Sequence, residues 1–122
     1  MKLARTNKSG MDFEFQSRFY DISSDYKEVK EGDPRLLCQA SWATTDYINE
    51  NLPAGLVWDN ESGVLIDRDD SKYTDCEKVT FHGEEYAVCP EAYEKLYALL
   101  TDAVENGLKQ IFGHARKYRN KA

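Results

Sequence analysis

PEAYEKLYALLTDAVENGLKQIFGHARKY, residues 90–118, carries one apolar stripe from end to end. With Tyr93 at zero and a step of about 100° per residue, Leu96, Tyr97, Leu100, Val104, Leu108, Ile111, Ala115 and Tyr118 all fall within about 60° of it. A strand would alternate instead, so the spacing predicts a long amphipathic helix over 90–118. Pro90 suits its first position, where a backbone N–H has no intrahelical partner. Glu91 and Glu94 lie at the positive end of the helix dipole. Glu91 with Lys95 and Glu105 with Lys109 are i,i+4 pairs on the polar face.

Two glycines qualify this helix. Gly107 falls on the buried face, about 40° from the stripe centre, where a missing side chain lets another backbone approach. Gly113 falls on the outer face and marks a fraying or bending point. The 29 residues at about 1.5 Å each span about 43 Å. A domain of this size is only about 35 Å across. The last turns therefore overhang, which predicts an oligomer contact at Gly107, Ile111, Phe112, Ala115 and Tyr118, a homodimer through the C-terminal helix. The competing cover for that stripe is the N-terminal arm folding back over it.

Upstream of Pro90 the period changes from helical to alternating. Leu56–Trp58 and Val64–Ile66 flank the turn Asp59-Asn60-Glu61-Ser62-Gly63. This is a hairpin signal with Gly63 left-handed. Lys78–Phe81 and Glu85–Cys89 flank His82-Gly83-Glu84 and form a second hairpin, which Pro90 ends for want of an N–H. Met11, Phe13 and Phe15 alternate with polar residues, predicting a strand that runs on towards Tyr20. Ile22, Tyr26 and Val29 suit one or two helical turns. For residues 34–43 two readings compete: a helix opened by Asp33 and Pro34, or a strand alternating through Leu36, Cys38, Ala40 and Trp42. The alternation favours the strand. A short helix from Thr44 or Thr45 to Asn51 follows, stopped by Pro53-Ala54-Gly55.

The expected class is α+β: a small antiparallel sheet of two hairpins plus additional strands, packed by the long C-terminal helix and a short helix. Residues 1–10 read as a flexible basic arm and residues 11–122 as a single domain. The chain has 122 residues, enough for one core without a metal or disulfide staple.

Charge is unevenly placed. Residues 21–100 carry seven basic and eighteen acidic groups, whereas the flanking segments are net basic, and the whole chain is −6. An acidic body repels phosphate backbones, so direct nucleic-acid binding is not expected; a protein partner with a basic surface is. The start of the chain lacks an apolar signal segment and no run reaches membrane-span length. With three cysteines, an odd number, reduced thiols and a cytoplasmic location are expected.

Motifs for chemistry are missing or incomplete. Asp67, Asp69, Ser71 and Asp75 match the first, third, fifth and ninth positions of a calcium loop, but Lys72 and Lys78 stand where Gly and a bidentate Glu are required. Cys38, Cys76, His82 and Cys89 lack paired zinc-ligand spacing. No cofactor and no metal is expected. His114, Arg116, Lys117, Arg119 and Lys121 form a basic cluster that suits a helix C-terminus.

The expected function is thus a non-enzymatic, acidic protein-binding module. In size, acidity and lack of a catalytic motif it resembles the accessory inhibitors carried by phages and mobile elements, anti-restriction and anti-CRISPR proteins among them. That resemblance is one of type, carried by composition and by no motif. It implies inhibition of a basic nucleic-acid-binding protein by charge mimicry. The contact residues expected are Asp59, Glu61, Asp67, Asp69, Asp70 and Asp75, with Tyr73 as an aromatic anchor. The alternatives are a small enzyme using Cys76 or Cys89 with a histidine, and an oligomeric structural module. A β-branched residue at the hairpin glycine would be strained, so Gly63→Val is expected to lower the melting temperature.

Overall fold

The computed structural model describes residues 1–8, 14–31 and 34–113. The strands are β1 Lys2–Ala4, β2 Leu56–Asp59, β3 Val64–Asp67, β4 Lys78–Phe81 and β5 Glu84–Val88. The helices are α1 Glu14–Ser23, α2 Lys27–Glu31, α3 Pro34–Asn51 and α4 Pro90–Phe112, with a 3-10 turn at Asp70–Tyr73. The α+β class is as expected, and both hairpins are present. The sheet order is β2-β3-β1-β5-β4. It is mixed rather than antiparallel throughout, because β1 runs parallel to β5.

Pairing register sorts the two faces of the sheet. Trp58 pairs with Leu65, Leu65 with Leu3, and Leu3 with Ala87. This row faces the helices and joins Phe15, Phe19, Ile48, Leu96, Leu100, Val104 and Leu108 in the main core. On the other face Ala4, Val64 and Tyr86 form a smaller cluster with Ile66, Val79 and Phe81 packed against it. The β4–β5 turn places both His82 (φ 52°) and Gly83 (φ 80°) left-handed, as a two-residue hairpin loop requires. In the β2–β3 turn Gly63 has φ 69°, and its N–H donates to the Asp59 carbonyl at 2.9 Å.

Four expectations require correction. Residues 1–10 are not a loose arm: Lys2–Ala4 is the central strand, and Leu3 and Ala4 are fully buried. The strand expected towards Tyr20 is helix α1 from Glu14 on, because Phe15, Phe19 and Ile22 repeat at helical spacing and all three are buried. Its proposed start at Met11 to Phe13 lies outside the described residues. The strand favoured for 34–43 is instead the first half of α3, one continuous 18-residue helix that includes the expected short helix. Its buried residues Ala40, Thr44 and Ile48 are four apart, whereas Cys38 and Trp42 face outward.

The fourth correction concerns α4. Its first position is Pro90, as expected, but it ends at Phe112, where Gly113 turns left-handed (φ 78°) and donates to the Lys109 carbonyl at 2.8 Å. Twenty-three residues span about 35 Å, the width of the domain, so this part does not overhang. Ile111 and Phe112 pack against the core, and the Phe112 ring lies 5.4 Å from that of Tyr26. Gly107 does admit a backbone, that of α3 in the same chain. A Cβ built there would lie 2.2 Å from Thr44 Oγ1 and 2.7 Å from the Ala40 carbonyl oxygen. Gly107 is therefore not open to a second copy, and Ala115 and Tyr118 lie outside the described residues.

Gly→Ala in an exposed helix is normally stabilising by about 1 kcal/mol. Here the sign reverses, since Ala40 and Thr44 present backbone atoms that cannot swing aside. Gly107→Ala is expected to lower stability by about 3 kcal/mol in urea unfolding.

Candidate partner-binding face

The acidic segment from Asp67 to Asp75 is folded for internal use. Asp67 is 1% exposed, not a surface residue. Its carboxylate accepts the Tyr73 hydroxyl at 2.5 Å and the Asp69 N–H at 2.9 Å, and Lys72 lies at 3.7 Å. Burial opposes its charge, but Tyr73, the Asp69 N–H and Lys72 outweigh that and hold the carboxyl below the usual range. Tyr73 is buried too, and burial and the Asp67 hydrogen bond push its hydroxyl well above the ordinary tyrosine value. Neither residue is the surface contact that the sequence suggested. Asp69 caps the 3-10 turn through Ser71, whose hydroxyl and N–H depress its pKa. Asp70 accepts from the Met1 amino group at 2.6 Å, which also donates to the Asp67 carbonyl at 2.7 Å. Asp75 is exposed on the same loop. Among the described residues no three acidic, Cys or His side chains group to hold a metal ion.

Cysteine–histidine chemistry does not assemble around His82. That residue sits at the β4–β5 tip, and Cys76 and Cys89 lie at the open end of the hairpin, about 17 Å away along the strands. Cys38 is exposed on α3. His114 lies outside the described residues.

A different face gathers the features of a contact surface. Trp42 on α3 is 67% exposed and Tyr20 on α1 is 61% exposed. A cleft of about 420 Å³ opens between α1 and α3, lined by Phe15, Phe19, Tyr20, Leu37 and Cys38 among others. A second of about 260 Å³ lies between α3 and the β2–β3 turn, lined by Trp42, Thr45, Asp46, Trp58, Asp59, Asn60 and Glu61. Asn60 and Glu61 line both. Among the described residues neither lining includes a lysine or arginine.

The turn between the clefts is held firmly. Asn60 Nδ2 donates to Ser41 Oγ at 2.8 Å, and the Glu61 N–H donates to Asp59 Oδ1 at 3.1 Å. The Asn49 side chain grips β2 from α3: it accepts from the Trp58 N–H at 2.7 Å and donates to the Trp58 carbonyl at 3.2 Å. Trp58 supplies the floor, with its ring 5.5 Å from that of Phe15. Its buried indole N–H has no hydrogen-bond partner among the described residues.

Of the contact residues expected from sequence, Asp59 and Glu61 belong to this face, whereas Asp67, Asp69, Asp70, Tyr73 and Asp75 line neither cleft, and Asp67 and Asp70 are bonded to Met1. Sequence reading missed Tyr20 and Trp42 because both were assigned to strands. The signal was available in the helical reading of α3: with Ala40, Thr44 and Ile48 inward, Trp42 falls on the opposite side.

No family model, no curated protein and no solved structure matches the chain. No helix among the described residues is long and apolar enough to cross a membrane.

Tyr73→Phe removes a donor from a buried carboxylate and is expected to cost about 1–3 kcal/mol at pH 7. A depressed native pKa contributes stability above the unfolded value of about 4, and that contribution is lost as pH falls through the native titration. The gap between wild type and Tyr73→Phe should therefore shrink as urea unfolding is moved from pH 7 to pH 3. A gap independent of pH would contradict this assignment.

Proposed function

We propose that the protein is a non-enzymatic binding module that docks the α1–α3–turn face on a basic surface of another protein. The observation that carries this is the pair of exposed aromatics, Trp42 and Tyr20, beside two adjoining clefts whose described lining residues include acidic but no basic ones. Large aromatics dominate the energetics of protein interfaces, and Trp and Tyr are the residues most enriched there. A partner arginine can stack on the Trp42 ring while carboxylates accept its N–H groups. Asp46 and Glu61 stand exposed at this site, and Asp59 is half-buried beside them. The net charge of −6 favours encounter with a basic surface.

Basic surfaces of this kind are what nucleic-acid-binding proteins present. A module that covers one competes with the nucleic acid, which is the action expected of an anti-defence inhibitor. The acidic loop at Asp67–Asp75 contributes less in this reading, since the carboxylates of Asp67, Asp69 and Asp70 are engaged with Tyr73, the local backbone and the Met1 amino group.

Affinity capture from host extract, with wild type and Trp42→Ala side by side, tests the proposal. Trp42→Ala is expected to lower affinity for the captured partner by about 30-fold, the equivalent of about 2 kcal/mol, with the thermal melt unchanged. Affinity should also fall steeply between low and physiological salt. A Tyr20→Ala, Trp42→Ala double variant that captures the same partner with undiminished affinity would rule out this face.

A further inference from the structure

Cys76 and Cys89 face each other across the root of the β4–β5 hairpin. Lys78 pairs with Ala87, and the ladder continues one step further, with the Val88 N–H donating to the Glu77 carbonyl at 2.8 Å. Continuing this register by one residue sets Cys76 opposite Cys89. That N–H to carbonyl bond makes Glu77 and Val88 a hydrogen-bonded pair, so the cysteines occupy a non-hydrogen-bonded position. Cα atoms at such positions are about 4.5 Å apart, inside the range of about 4.4–6.8 Å that a disulfide spans. Both side chains are half-buried and pack against the same core cluster, so they share the helix-facing side of the sheet.

The backbone on either side is held in place. The Cys89 N–H donates to the Ala4 carbonyl at 2.9 Å, tying it to the central strand. The Cys76 N–H donates to the Tyr73 carbonyl at 3.2 Å, and Lys78 Nζ donates to the Cys76 carbonyl at 3.1 Å. Burial raises the Cys89 thiol, with Glu91 and Cys76 pushing in the same direction and the Ala92 N–H opposing them.

We propose that Cys76 and Cys89 are a redox-responsive pair that closes to an intramolecular disulfide, stapling the entry of β4 to the start of α4. With oxidised glutathione as oxidant, one cysteine attacks its disulfide and releases one glutathione thiol. The second cysteine then attacks the mixed disulfide and releases the other. Two S–H bonds and one S–S bond break, one protein S–S bond and two glutathione S–H bonds form, and two electrons pass to glutathione. This inference is independent of the partner-binding reading.

The experiment is incubation of the full chain with oxidised glutathione, followed by non-reducing peptide mapping and intact mass. A Cys76–Cys89 crosslinked peptide is expected in wild type and equally in Cys38→Ser, with loss of two hydrogens as the whole mass change in Cys38→Ser and any glutathione adduct in wild type confined to Cys38. Cys76→Ser should abolish the crosslink and leave Cys89 as a glutathione adduct. Adducts alone in wild type, a crosslink through Cys38, or no reaction at either thiol would each overturn the proposal. A thermal melt of Cys76→Ser confirms that its result is read on folded protein.

Discussion

The Tyr93 hydroxyl is the point through which helix and sheet are joined. It accepts from the Leu65 N–H at 3.2 Å and donates to the Leu3 carbonyl at 2.7 Å. Leu65 and Leu3 are paired residues of β3 and β1, so a single side chain from the first turn of α4 serves two strands at once. The ring is 1% exposed, which removes water as a competing partner and leaves each bond at full value. Short β1 is held largely by this arrangement. It has three residues, and it forms the middle of the sheet only because β3, β5 and Tyr93 all bond to it.

From that anchor α4 runs the width of the domain and meets α3 at Gly107. The missing side chain there lets the α3 backbone come close enough that any Cβ would collide with it. Close approach explains why α3 offers Ala40 and Thr44 opposite Gly107 and the larger Ile48 only one turn further on; Thr44 turns its hydroxyl back to the Ala40 carbonyl at 2.8 Å and leaves no donor unsatisfied. A helix buried on the narrow stripe of Ala40, Thr44 and Ile48 has a wide outer face. Trp42 stands on that outer face, and the same geometry that makes α3 fit α4 therefore presents an aromatic to solvent.

Charge is used in two ways. At the Met1 end, Asp67, Asp69 and Asp70 organise a loop around buried and terminal donors, and Lys2 with Glu84 closes over Tyr86 on the outer sheet face. Near the α3–turn clefts, acidic side chains line a surface that has no basic residue among the described residues of its lining. The first group is bound into the fold, whereas Asp46 and Glu61 of the second stand exposed. Counting carboxylates along the chain does not separate the two, because burial and hydrogen-bond partners are set by residues distant in sequence.

The sequence by itself determined the α+β class, both hairpins, the left-handed glycine at 63, and the start and buried stripe of α4. Each of these is written in local periodicity or in a backbone conformation that one residue type favours. Only the tertiary structure decided that Lys2–Ala4 is central, that residues 34–43 are helical, and that Asp67 and Tyr73 are inside. A three-residue strand has too short a pattern to read, and its burial comes from strands more than sixty residues away. Leu36, Cys38, Ala40 and Trp42 alternate in sequence by coincidence, and the facing Gly107, distant along the chain, is what makes Ala40 and Thr44 the buried pair. The candidate face follows the same rule: Glu61 and Asp59 could be read from the turn, whereas Tyr20 and Trp42 became visible once α1 and α3 were placed beside it.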